Sequence, residues 1–128
     1  MKLLLDTHTF LWMDADPAKL SATAKSLITD ASNDLLLSVT SLWEIQIKSM
    51  LGKLQLRVSL ADMVQENEQK NGLVVLPVTG DHVYYLDQLP AVHNDPFDRL
   101  IAAAACVEAA TLVSADAVFQ QYPGSLEW

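Results

Sequence analysis

With a single cysteine among its 128 residues, the chain has no intrachain disulfide framework and offers little support for redox chemistry. Cys106 lies in LIAAAACVEAA, where it reads as a buried helix residue more readily than as a nucleophile. Basic residues are also scarce. Eight Lys and Arg against sixteen Asp and Glu give a net charge of −8, so the average field repels nucleic acid. A polyanionic substrate then needs metal ions or a local basic patch, while a basic partner protein is favoured. No apolar stretch approaches the roughly 18 residues of a membrane-spanning helix, and a short strand-like run follows Lys2 in place of a hydrophobic leader. The expectation is a soluble, cytoplasmic protein without membrane contact. A Gly-rich phosphate loop with Lys, a GxSxG elbow and an HExxH pair are all missing. The three histidines, His8, His82 and His93, are scattered without ligand spacing and read as turn or surface residues.

What is abundant is apolar side chain, 51% of the residues, in short blocks separated by polar switches. KLLL (2–5), LLLSV (35–39), LVVLPV (73–78) and TLVS (111–114) read as buried strands. Helices are expected from Thr7 to Asp14, from Ser21 to about Asp30, from Ser41 to Gly52, from Ser59 to Asn71, around Asp81 to Leu86, and from Asp95 to about Ala109. Ser41 and Glu44 have capping-box spacing, and Asp95-Pro96 is a helix start with the cap and first position filled by suitable residues. Around Leu54, Leu56 and Val58 the pattern changes to short-period alternation. A short helix and a strand-like end are expected beyond Phe119. This alternation predicts one domain, residues 1–128: a three-layer α/β/α fold around a central parallel sheet.

In such a fold the carboxyl ends of the strands share one edge. Four acids fall there: Asp6 after KLLL, Glu44 in TSLWEI, Asp98 in NDPFDR and Asp116 in LVSAD. Each has a structural reading as a cap or first-turn charge. Together they suggest a divalent-metal site, because carboxylates about 5 Å apart repel by roughly 3 kcal/mol per pair at an effective dielectric near 20, and a cation relieves this. An all-oxygen donor set suits Mg²⁺ or Mn²⁺. Asp95 reads as structural. Thr7 and Ser114 are hydroxyls beside the acids, though hydroxyls at such junctions more often serve backbone groups. Arg99 is expected to pair with a local acid, and Trp12 and Trp43 to pack within helices. Lys48, Lys53 and Arg57 form the best small basic patch.

The blocks LLLDTHTFLW, SLWEIQIKSMLGKLQL, HNDPFDRLIAAAA and LVSAD with AVF and QY beyond it resemble, in order and over nearly the whole chain, those of PIN-domain proteins, in particular VapC-type toxins of toxin–antitoxin pairs. The resemblance places the family's four acidic positions on Asp6, Glu44, Asp98 and Asp116. It implies a Mg²⁺- or Mn²⁺-dependent endoribonuclease in which these residues hold one or two ions, with Asp6 and Asp98 the primary ligands. It further implies a homodimer, growth inhibition through RNA cleavage, and neutralisation by a VapB-type antitoxin whose own DNA-binding part would contact an operator. Another metal-dependent phosphohydrolase or DNA nuclease, and a catalytically inactive PIN-like protein-binding module, are the alternatives to that reading.

Overall fold

A computed structural model describes residues 1–91 and 94–128; His93 lies outside them. Five parallel strands form the sheet: β1 (Lys2–Leu5), β2 (Asp34–Ser38), β3 (Val74–Leu76), β4 (Thr111–Val113) and β5 (Ser125–Glu127). Their spatial order is β3-β2-β1-β4-β5. The chain therefore builds outward from β1 to β3, crosses back, and continues on the opposite side from β4. The join between β1 and β4 is the topological switch point, where the crossovers diverge and leave a crevice beyond the carboxyl ends of the strands.

The helices are α1 (Thr7–Ala15), α2 (Ala22–Thr29), α3 (Val39–Met50), α4 (Leu60–Asn71), α5 (Gly80–Tyr85) and α6 (Pro96–Val107). Because side chains alternate across a strand, Leu3 and Leu5 of β1 enter one core with Phe10, Ala24, Ile45 and Met63, while Leu4 enters the other with Ile101, Leu112 and Phe119. This explains the uninterrupted Leu run: the sheet is covered on both faces. In α6, Ile101 and Ala102 to Ala105 are all buried, and their small side chains let the helix lie close to Leu4 and Leu112.

Most predicted boundaries hold within two residues. The helix expected to begin at Ser41 instead starts at Val39, capped by Ser38, whose hydroxyl accepts the Thr40 N–H at 3.0 Å. Ser41 and Glu44 are thus one helical turn further in, with no capping box between them. Leu54, Leu56 and Val58 keep their alternating half-burial without joining the sheet. The final strand-like segment becomes β5, in parallel register with β4.

His82 differs most from its expected surface position, being 0% exposed. The Thr79 N–H can only donate, so Nδ1 of His82 accepts it, at 3.2 Å; Nε2 then carries the proton and donates to Glu108 Oε2 at 2.8 Å. With the Thr79 hydroxyl accepting the His82 N–H, the pair forms a capping box that ties α5 to the end of α6. The replacement His82→Ala strands a cap and leaves a cavity, and is expected to cost about 2 kcal/mol in urea denaturation.

At the other side of that junction, Ala109 has a φ of +53°, the left-handed region. The Ala109 and Ala110 N–H groups return to the Cys106 and Ala105 carbonyls, closing α6 in a turn that ordinarily takes glycine. Ala109→Gly removes the Cβ penalty and should raise stability by about 1 kcal/mol, readable as a higher thermal midpoint.

Candidate metal centre and adjoining groove

Asp6 follows β1 directly and caps α1. Its Oδ1 accepts the Thr9 N–H at 2.7 Å, and its Oδ2 accepts the Ser114 hydroxyl. Ser114 is the residue after β4, held by its N–H to the Glu127 carbonyl at 3.1 Å, so the bond bridges the switch point. The same Ser114 oxygen accepts the Asp116 N–H at 3.0 Å. Asp116 is exposed, with one carboxylate oxygen capping the short 3₁₀ turn at Ala117–Gln121 through Val118 N–H. Asp6 and Asp116 both line a cavity of about 250 Å³, together with His8, Trp12 and Ala115.

Asp6 is only 4% exposed, yet no Lys, Arg or His among the described residues forms an ion pair with it. Two neutral donors and the N-terminal dipole of α1 are its compensation. A buried carboxylate without a counter-ion, facing a cavity that a second carboxylate also lines, has the donor chemistry a hard divalent cation requires.

Glu44, 3% exposed, is held from two sides. Its Oε1 accepts the Thr7 hydroxyl at 2.7 Å. Thr7 has one hydroxyl proton, which the carboxylate takes, so the Ser41 hydroxyl 3.0 Å away donates to Thr7. The Oε2 of Glu44 accepts from Lys48 Nζ at 2.6 Å. Asp98 sits half-buried in the first turn of α6, its N–H shared with the capping carboxylate of Asp95, which also accepts the Phe97 N–H. Asp95 is structural, as expected. Phe97 meets Trp43 edge-on, with centroids 5.1 Å apart, which brings the start of α6 against α3 beside Glu44.

The four acids are thus arranged as Asp6 linked to Asp116 through Ser114, Glu44 fixed to the residue after Asp6, and Asp98 on the neighbouring helix start. Among the described residues, no three His, Cys, Asp or Glu side chains are gathered closely enough to hold one ion.

Several side chains differ from their sequence reading. Thr7 and Ser114 bond to carboxylates, not to backbone groups alone; Thr9 takes the backbone role, donating to the Val113 carbonyl at 2.9 Å. Arg99 donates to the Pro90 and Leu86 carbonyls. Trp43 is 60% exposed, whereas Trp12 packs against Trp128 at 5.7 Å. Cys106 is half-buried; burial pushes its thiol up, and it donates to the Pro123 carbonyl at 3.2 Å. The Glu44–Lys48 pair was legible as an acid and a base four residues apart on a helix.

A groove of about 470 Å³ adjoins the acidic cavity, and His8 and Trp12 line both. Lys19, Lys48, Lys53 and Arg57, half of the chain's eight basic residues, line this groove. Arg57 is taken up by Glu66 and Asp14, at 2.5 and 3.2 Å; these bonds push its guanidinium further up and hold Glu66 below the usual carboxylate range. Lys19 faces Asp16 at 3.7 Å, and Lys53 has no ion pair among the described residues.

The PIN domain family model matches residues 3–125. No curated protein matches the sequence. Solved structures with the same fold include VapBC2 of Rickettsia felis bound to a promoter DNA fragment, with 20% identity, a TM-score of 0.73, and coverage of 99% of this chain and 98% of that one. VapBC of Salmonella typhimurium, crystallised with DNA, gives 18% identity, a TM-score of 0.68, and coverage of 99% and 97%. FitAcB of Neisseria gonorrhoeae gives 19% identity, a TM-score of 0.62, and coverage of 97% and 95%.

Proposed function

This chain belongs to the PIN-domain family, and from that premise we propose that it is a Mg²⁺- or Mn²⁺-dependent endoribonuclease of the VapC toxin type. The observation that carries the proposal is Asp6: a buried carboxylate with no cationic partner among the described residues, at the switch point of the sheet and joined through Ser114 to Asp116. Asp6 and Asp116 would hold the ion from the β1/β4 side, with Asp98 and Glu44 contributing from α6 and α3. When bound, the ion supplies charge stabilisation at the phosphoryl oxygens and lowers the pKa of an attacking water. The protein's part is orientation. Thr9 N–H and Ser114 fix the carboxylate plane of Asp6, and Thr7 with Ser41 fixes Glu44.

The VapBC and FitAB relatives were solved as complexes, three of them with DNA. By analogy, this chain would be held inactive by a VapB-type antitoxin that carries the DNA contact. The apolar side chains left exposed on and just after α3, namely Val39, Trp43, Met50 and Leu51, support a homodimer. No helix among the described residues is long and apolar enough to cross a membrane, which is compatible with a cytoplasmic site of action. The absence of a three-acid group among the described residues favours, as second reading, a catalytically inactive PIN-like binding module.

Purified, antitoxin-free protein incubated with a total RNA pool separates the two. Cleavage that requires Mg²⁺ or Mn²⁺, stops with EDTA and returns when metal is restored supports the nuclease. A folded protein that cleaves nothing in the pool and binds no metal supports the module.

A further inference from the structure

Lys48 connects the acidic centre to the adjoining groove, which four bases line together with Asp14 and Asp16. Its ammonium reaches Glu44 at 2.6 Å, and its side chain is 39% exposed and lines the groove that Thr7 and His8 share. Glu44 is buried, so the ion pair has an asymmetric character: the carboxylate is fixed by Thr7, whereas the lysine is half-exposed on a four-carbon stem with rotatable bonds. A divalent ion at Glu44 and an ammonium at hydrogen-bond distance from the same carboxylate would repel each other. The lysine has somewhere to go, because the groove beside it opens to solvent and carries Lys53 as a second cation without an ion pair among the described residues.

We propose that Lys48 is a charge-exchange positioning residue, neutralising Glu44 in the metal-free protein and moving to a phosphate of a strand in the groove when a divalent ion engages Glu44. The inference rests on the nuclease reading and deepens it: metal occupancy and strand binding become linked through one side chain. Linkage of this kind is reciprocal and commonly amounts to 5- to 150-fold, here on the order of tenfold.

The test compares wild type with Lys48→Met, Lys48→Gln and Lys48→Arg, each checked for a cooperative thermal transition. Mn²⁺ affinity is measured by titration calorimetry, and binding of a fully 2′-O-methylated, uncleavable oligoribonucleotide is measured by fluorescence anisotropy at saturating Mn²⁺. Removing the competing ammonium should tighten Mn²⁺ about tenfold in the Met and Gln variants and weaken the oligonucleotide about tenfold, with Arg close to wild type in both. A lysine that merely steadied Glu44 would give weaker Mn²⁺ binding on removal. Unchanged or weaker Mn²⁺ binding in a folded Met or Gln variant, or unchanged oligonucleotide binding, overturns the exchange while leaving the nuclease reading intact. A wild-type protein that binds no Mn²⁺ overturns both.

Discussion

Asp6→Asn should lower metal-dependent RNA cleavage at least about a thousandfold while leaving the fold in place. Asparagine keeps the oxygen that accepts the Thr9 N–H, so α1 remains capped, and its amide can still reach Ser114 across the switch point. What is lost is the negative charge, on which both ion affinity and the placement of the ion depend. A metal site that loses a principal anionic ligand forfeits several kcal/mol of transition-state stabilisation, and about 4 kcal/mol corresponds to that factor. Asp98→Asn should fall in the same range, and Asp116→Asn should cost less, because Asp116 is exposed and one of its oxygens is engaged with the Val118 N–H. The measurement is single-turnover cleavage of an RNA from the pool, with circular dichroism as the fold control. Cleavage by Asp6→Asn within tenfold of wild type would remove Asp6 from the chemistry.

The parts legible in the sequence were those governed by local periodicity and by fold topology. Runs of Leu and Val with polar switches mark strands buried on both faces, and alternation with helices compels a parallel sheet, so the sequence alone puts Asp6 and Asp116 on one edge. The sequence could not show which side chains complete the site, because that depends on register. Ser114 reaches Asp6 only since Leu5 pairs with Val113, which sets the following residues side by side. Thr7 reaches Glu44 because α3 begins two residues before the expected start, turning Ser41 and Glu44 inward. His82 was hidden for a similar reason: an isolated histidine on a short polar segment looks like a surface residue until α5 is docked against α6 and Glu108 comes within reach. Trp43 shows the opposite error. Its place in an apolar stripe suggested packing, but α3 faces the core with Ile45 and leaves Trp43 to Phe97 and solvent.

Adding Mg²⁺ or Mn²⁺ to the purified protein should raise its thermal midpoint by about 10 °C at a hundredfold excess over the dissociation constant, and Asp6→Asn should abolish that rise. An ion that binds only the folded state stabilises it by about 2.7 kcal/mol at that excess, and a domain of this size moves roughly 4 °C per kcal/mol. The sign for the metal-free variant is opposite. Asp6 is buried with no cationic partner among the described residues, compensated by an N–H and a hydroxyl, so its charge is a cost to the metal-free fold. Removing it should leave the metal-free variant unfolding at or above the wild-type temperature, as expected where a destabilising arrangement is retained for function. Thermal scans of both proteins with EDTA and with metal give four midpoints. Equal metal-induced shifts in the two proteins would locate the ion elsewhere, and a variant markedly less stable than wild type in EDTA would make Asp6 a structural cap.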